Sequence, residues 1–217
     1  MTADASEDDA GNRLPQALFQ AVASRGRVRS FPAHAILINE GDSTDSLYVV
    51  LAGRVKAYAS SEDGREVVLA EYGPGEYFGE LALDGSRRSA SIKAIEPCSC
   101  RVVQGLELQA FLADYPEFGA HLTRKLIHMV RRLTHQVRGL ALQDVYSRVV
   151  QLLGELSDPS AGTERVLRHK LTQQDIADRV GSSREMVNRV MKELAAGGYI
   201  VQREGRIVLL RKPPAAW

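Results

Sequence analysis

Two hydrophobic periods divide the chain. Between about Phe31 and Val103, apolar and polar residues alternate in short runs with the two-residue period of a strand. The runs are Ala35–Ile38, Ser46–Leu51, Arg54–Tyr58, Glu66–Ala70, Ala90–Ala94 and Ser99–Val103. Turn chemistry separates them, at Glu40-Gly41-Asp42, Ala52-Gly53, Glu62-Asp63-Gly64-Arg65, Gly73-Pro74-Gly75 and Asp84-Gly85-Ser86. Short strands at this spacing predict an all-β sandwich or barrel of the jelly-roll kind.

Beyond Leu106 the period changes. Pro116 stands where a helix can start, and from there to about Asp144 no proline interrupts the chain. Thr123, Leu126, Val130, Leu133, Val137 and Leu140 recur at alternating steps of three and four, with β-branched residues and leucine in turn. That is a heptad seam suited to a parallel two-stranded coiled coil, so the helix is expected to pair with a second copy. Leu122, Ile127 and Met129 fall off the seam and imply that part of the helix also packs on its own β domain. His121, His128 and His135 repeat every seven residues opposite the seam and read as a solvated outer face. A further helix is expected from about Val145 to Leu156, followed by a loop over Ser157–Gly162.

Near the C-terminus the capping signals become dense. Thr172 and Asp175 form a capping box, Ile176, Ala177 and Val180 supply an apolar edge, and Gly181 makes a turn. Ser182 with Glu185 repeats the S-x-x-E signature and opens a second helix to about Ala196, burying Val187, Val190, Met191 and Leu194. Two short helices joined by a glycine turn form a helix-turn-helix. Its wet face begins with Arg184, Glu185, Asn188 and Arg189. Arginine can grip guanine O6 and N7, and glutamate can accept from cytosine N4, so this face suits a G·C-containing site in duplex DNA. Tyr199–Gln202 and Arg206–Leu210, joined by Arg203-Glu204-Gly205, predict a hairpin wing.

Charge supports this division. From Val145 onward 12 Lys and Arg face 8 Asp and Glu, whereas the rest of the 217-residue chain holds 16 against 19. The basic excess lies with the reading unit, as a nucleic-acid partner requires. Cys98 and Cys100, two apart on one strand, point to one face and are expected to be small buried residues. Two cysteines are too few for the roughly four thiolates of an iron–sulfur cluster. Met1–Asn12 lacks the basic start and apolar stretch of a signal peptide, and no window approaches a membrane span. The expected protein is therefore cytoplasmic and α+β. It divides into a flexible tail (1–12), a β-roll (13–115), a long dimerisation helix (116–144) and a winged helix-turn-helix (145–217). No nucleophile–base pairing or metal-ligand spacing points to an enzyme.

The segment Gly181-Ser182-Ser183-Arg184-Glu185-Met186-Val187-Asn188-Arg189-Val190 resembles the recognition unit of the cyclic-AMP receptor protein and fumarate–nitrate regulator superfamily. Phe78-Gly79-Glu80-Leu81-Ala82-Leu83 followed by Arg88-Ser89-Ala90 looks like the family's phosphate-binding cassette. The resemblance covers nearly the whole chain and implies a homodimeric transcription regulator with duplex DNA and RNA polymerase as partners. It further implies a small-molecule effector, cyclic AMP foremost, bound in a cyclic-nucleotide-binding β-roll. It casts Arg184, Glu185 and Arg189 as readers of a TGTGA-like half-site. Asn188 stands where the receptor has a small residue.

The chemistry of the cassette can be read directly as well. Glu80 can accept from a ribose hydroxyl, Arg88 and the Ser89 hydroxyl can hold a cyclic phosphate, and backbone N–H groups of a short helix at Leu81–Leu83 can add to that site. Lys170, Thr172, Ser182 and Lys192 are candidate phosphate contacts, and Ser183 is a further DNA-binding candidate. The Asp84–Arg87 loop is shorter than the receptor's. Thr134 aligns with a hydroxyl that the receptor offers to the partner subunit's adenine, and Leu133 replaces a second one. Cyclic GMP, a cyclic dinucleotide, another small molecule and effector-independent binding therefore stay open as alternatives, with a haem-type gas sensor more remote.

Overall fold

The computed structural model describes residues 12–160 and 164–214; residues 1–11 of the expected tail, and 161–162 of the expected loop, lie outside them. The chain forms two compact units, one mainly of residues up to 133 and the other mainly of residues from 134 on.

The first unit runs α1 (Gln16–Ala23), β1 (Arg27–Phe31), β2 (Ile36–Ile38), β3 (Leu47–Ala52), β4 (Val55–Ser60), β5 (Glu66–Tyr72), β6 (Tyr77–Phe78), β7 (Ser91–Ala94), β8 (Cys98–Val103) and α2 (Gly105–Asp114). It also holds most of α3 (Pro116–Leu142). Its strands make two four-stranded sheets, in the orders β1-β8-β3-β6 and β2-β7-β4-β5. Strand β3 shows how they are packed. Tyr48 and Val50 face the core between the sheets, whereas Leu47 and Val49 join a second core with α1, α2 and the start of α3. Being covered on both faces, β3 reads as a continuous apolar run. Cys98 and Cys100 share the inter-sheet face as free thiols, and burial pushes the Cys100 thiol up to about 12.

Pro116 opens α3, where its missing N–H costs nothing. The face turned to the β-roll buries Phe118, His121 and Lys125. The expectation that His121 lies on a wet face is thus wrong. Its Nε2–H donates to the Arg13 carbonyl at 2.9 Å, and its Nδ1 faces the Tyr77 hydroxyl at 3.2 Å. The position opposite the seam is covered by the protein's own roll at this height; His128 is half-buried and His135 exposed.

The second unit begins with α4 (Val145–Glu155), capped by Asp144, whose carboxylate accepts from Ser147 N–H at 2.7 Å. Then follow β9 (Ser157–Pro159), β10 (Arg165–Leu167), α5 (Gln173–Val180), α6 (Arg184–Ala196), β11 (Ile200–Arg203) and β12 (Arg206–Leu209). The sheet order is β11-β12-β10-β9. Ser157–Pro159, expected as loop, is thus an edge strand paired with β10, a place that tolerates proline. The capping box of Thr172 and Asp175 is present. Gly181, at φ +63°, ends α5 in the left-handed conformation, and Ser182 N–H donates to Ala177 O at 3.1 Å. With the Ser182 backbone bonded back to α5 and so part of the turn, Ser183 caps α6 by accepting from Met186 N–H at 3.2 Å, one residue later than expected. Leu153, Leu167, Ile176, Ala177, Val187 and Leu194 close the core.

Leu194 is fully buried, so Leu194→Ala should cost about 2–5 kcal/mol in urea unfolding of the second unit. Burial lowers the pKa of His121 from its ordinary 6.5, so below that value the unfolded chain binds the proton first. Stability of the first unit should be intact above pH 6.5 and fall on acidification through the depressed pKa. His121→Gln should flatten that part of a pH series of unfolding midpoints.

Candidate functional site

The cassette is built around a glycine in a conformation that other residues avoid. Gly79 has φ +92°, and a Cβ there would lie 2.7 Å from Ser46 O and 2.8 Å from Arg88 Nη1. The backbone then makes a single 3₁₀ turn over Glu80–Ala82, one residue earlier than expected. Arg88 is buried, and its guanidinium donates to Thr44 Oγ1 at 2.8 Å, Gly79 O at 2.8 Å and Ser46 O at 2.7 Å. Three of its five N–H groups thus hold the loop in shape, and two are left for a ligand.

Glu80 is placed by a residue that the sequence reading overlooked. Its Oε1 lies 3.1 Å from Nζ of Lys125, and both side chains are 2% exposed. Lys125 also donates to Tyr77 O, and its ammonium sits 3.7 Å from the centre of the Tyr77 ring. Burial lowers the Lys125 pKa, while the facing Glu80 carboxylate works against that shift. Glu80 Oε2 is buried without a hydrogen-bond partner. The same burial, with Glu80 adding to it, pushes the Tyr72 phenol well above its ordinary range.

Gly79, Glu80, Leu81, Ala82, Arg88, Ser89 and Ala90, all expected at the effector site, line one cavity of about 290 Å³. Its other walls are apolar residues of the roll, among them Ile38, Leu69, Tyr72, Phe78 and Ile92. Met129, Arg132 and Leu133 of α3 complete it; Thr134 does not line it. Arg132 Nε is buried without a partner. A detectable signal for the helix side was the spacing of His121, Lys125, Met129 and Arg132, a second stripe beside the heptad seam. On the seam itself, Val130 is 63% exposed, Leu133 37%, Val137 65% and Leu140 48%. Leu126 is half-buried, and Thr123, exposed, donates its hydroxyl to Gly119 O at 2.9 Å. Among the described residues no group of His, Cys, Asp and Glu is placed to hold a metal ion, and no helix is long and apolar enough to cross a membrane.

In the second unit the expected readers stand together on α6. Arg184, Glu185, Arg189 and Lys192 are exposed, and Asn188 is half-buried. The backbone N–H of Glu185, with the Ser183 hydroxyl, holds the Glu185 carboxyl below the usual range, so it is an anion ready to accept. Asn188 Oδ1 accepts from Gln173 Nε2 at 3.1 Å, a contact between α5 and α6 that the sequence reading did not include. The Thr172 hydroxyl donates to Asp175 Oδ2 at 2.6 Å, which spends its proton on the cap. Lys170 lies along the wing tip, its Nζ 3.3 Å from where a Cβ at Gly205 would be. Ser182 is half-buried at the turn.

Comparison with known proteins identifies both domains. Residues 28–115 match the family model of the cyclic nucleotide-binding domain, and residues 147–214 that of the Crp-like helix-turn-helix domain. The chain is 31% identical over 191 residues to the cAMP-activated global transcriptional regulator CRP of Pasteurella multocida, covering 86% of this chain and 91% of that one. It is 35% identical over 185 residues to a CRP-like cAMP-activated global transcriptional regulator of Mycobacterium tuberculosis, covering 83% and 82%. The solved structure of the c-di-GMP responsive regulator CLP of Xanthomonas campestris matches with a TM-score of 0.78 and 28% identity, over 90% of this chain and 99% of that one.

The buried ion pair should show itself in stability. Lys125→Met alone leaves a buried carboxylate without its counter-charge and should cost about 3–5 kcal/mol in urea unfolding of the first unit. The double change Lys125→Met with Glu80→Leu should recover most of that loss.

Proposed function

The chain belongs to the CRP/FNR family of transcription regulators, and within it we propose a cytoplasmic homodimer that reads a palindrome and is switched by a cyclic mononucleotide, cyclic AMP first. The observation that carries this reading is Leu133, which lines the cavity and also belongs to the exposed seam. A ligand in the cavity touches the surface on which two copies pair, so it can favour one pairing over another by binding it better.

In this reading Glu80 Oε2 takes the ribose hydroxyl. The two N–H groups left on Arg88, with the Ser89 hydroxyl, hold the cyclic phosphate. The base lies against Leu69, Tyr72 and Leu133, and Thr134 serves the ligand of the partner subunit. Both the P. multocida and M. tuberculosis relatives are described as cAMP-activated. A cavity of about 290 Å³ lies at the lower edge of the roughly 300–1,000 Å³ usual for ligand sites, which suits one nucleotide better than a cyclic dinucleotide.

On DNA, Arg184 and Arg189 grip guanines and Glu185 accepts from cytosine, in TGTGA-like half-sites about 34 Å apart. Lys170, Ser182, Ser183 and Lys192 contact phosphates, whereas Thr172, whose N–H and hydroxyl both donate to Asp175, caps α5 rather than holding a phosphate. The DNA-bound dimer acts on transcription through RNA polymerase. A second reading, effector-independent DNA binding, is favoured by one observation: Arg88 already satisfies three carbonyl and hydroxyl acceptors of the protein itself.

Calorimetric titration of the full chain with cyclic AMP, cyclic GMP and cyclic di-GMP separates these readings. Cyclic AMP should bind once per protomer, and Arg88→Leu should abolish it. Absence of heat with all three, together with operator affinity unchanged by any of them, would establish the second reading. In sedimentation, Val137→Glu should turn the dimer into a monomer.

A further inference from the structure

The half-buried amide of Asn188 differs from the long charged arms beside it. It lies one turn on from Arg184, on the same face of α6. Gln173, the first residue of α5, donates to its Oδ1 at 3.1 Å. The two helices do not need this contact to stay together, because Ile176, Ala177, Val187 and Val190 already close their interface and are all buried.

A lone asparagine in the major groove reads adenine with both ends, its oxygen accepting from N6 and its nitrogen donating to N7. At Asn188 the bond from Gln173 turns the oxygen toward α5. The end of the amide left to face DNA is then Nδ2, which carries two donors and no acceptor. Two adjacent donors match the two adjacent acceptors of guanine, O6 and N7. Against adenine, one of them meets the N6 amino group, donor to donor. Cytosine offers only a donor, and thymine a single acceptor beside a methyl.

From this geometry we infer that Gln173 and Asn188 form a specificity element in which Gln173 is a positioning residue that fixes Asn188 as a donor-only reader. The pair selects guanine at one base pair flanking those read by Arg184, Glu185 and Arg189. The inference rests on α6 entering the major groove as proposed above. The preference for guanine over adenine at that base pair should be roughly ten- to hundredfold, as for other two-bond base contacts.

Selection from a pool of randomised duplexes, read by sequencing with and without cyclic AMP, tests it on the full chain. The parent is compared with Asn188→Ala, Gln173→Leu, Gln173→Glu and Arg184→Ala, each first shown to unfold at the parent's temperature. Asn188→Ala should erase the preference at the flanking base pair and leave the rest of the site intact. Gln173→Leu should free Oδ1 and raise adenine against guanine there by about ten- to hundredfold. Gln173→Glu, which can only accept, should turn the Asn188 amide round so that its oxygen faces DNA and favours cytosine.

A helix-to-helix strut of purely structural value would weaken binding evenly and would not change which base is chosen. If both Gln173 variants keep the parent's base at that position, or if Asn188→Ala does, the inference is overturned. If Arg184→Ala keeps the whole parental site, or the parent selects none, major-groove reading by α6 fails first and takes the amide pair with it.

Discussion

The first unit depends on an ammonium and a carboxylate held together out of water. Glu80 belongs to the cassette and Lys125 to the long helix, and neither could be buried alone without a penalty of several kcal/mol. Lys125 finds further compensation in the Tyr77 carbonyl and the face of the Tyr77 ring. Glu80 is compensated at one oxygen only. The pair therefore fixes how the cassette and the helix meet, while leaving one strong acceptor unsatisfied at the cavity. Around it the rest follows: Gly79 in the left-handed region so that Ser46 O and Arg88 can come close, and Arg88 stitching three segments into one wall.

Much of this was legible from patterns in the chain because the pattern and the physics coincide. Six strands of the roll could be read from alternation and glycine turns. The reading unit could be read because caps, turn and apolar edge agree in order. What was missed lacked such a signal. Helices α1 and α2 start without a side-chain cap, at Pro15 and Gln104. Strand β1 lies at a sheet edge with four of five residues exposed, and β9 is three residues long, too short to show a period.

The candidate site divides in the same way. The cassette could be found from its residues, since a buried guanidinium and a strained glycine leave a recognisable string. Lys125 and His121 were overlooked despite their spacing with Met129 and Arg132, because a heptad reading describes one side of a helix and counts a charged residue on the other side as wet. Only the tertiary partner, here the covering roll, decides that a lysine is inside. The shift of the α6 cap from Ser182 to Ser183 has a similar cause: only Ser182 has a glutamate three residues on, but its backbone is bonded back to α5 and the helix starts one residue later.

The double membership of Leu133 bears on how such a protein can be re-engineered or can diverge. A change there that reshapes the cavity also alters the exposed heptad seam, so in the proposed homodimer chemical preference and assembly strength are inherited together. Leu69 and Ile92, on the sheet side of the same cavity, carry no such second duty. The proposed sensor could be retuned there without disturbing the proposed pairing of two copies.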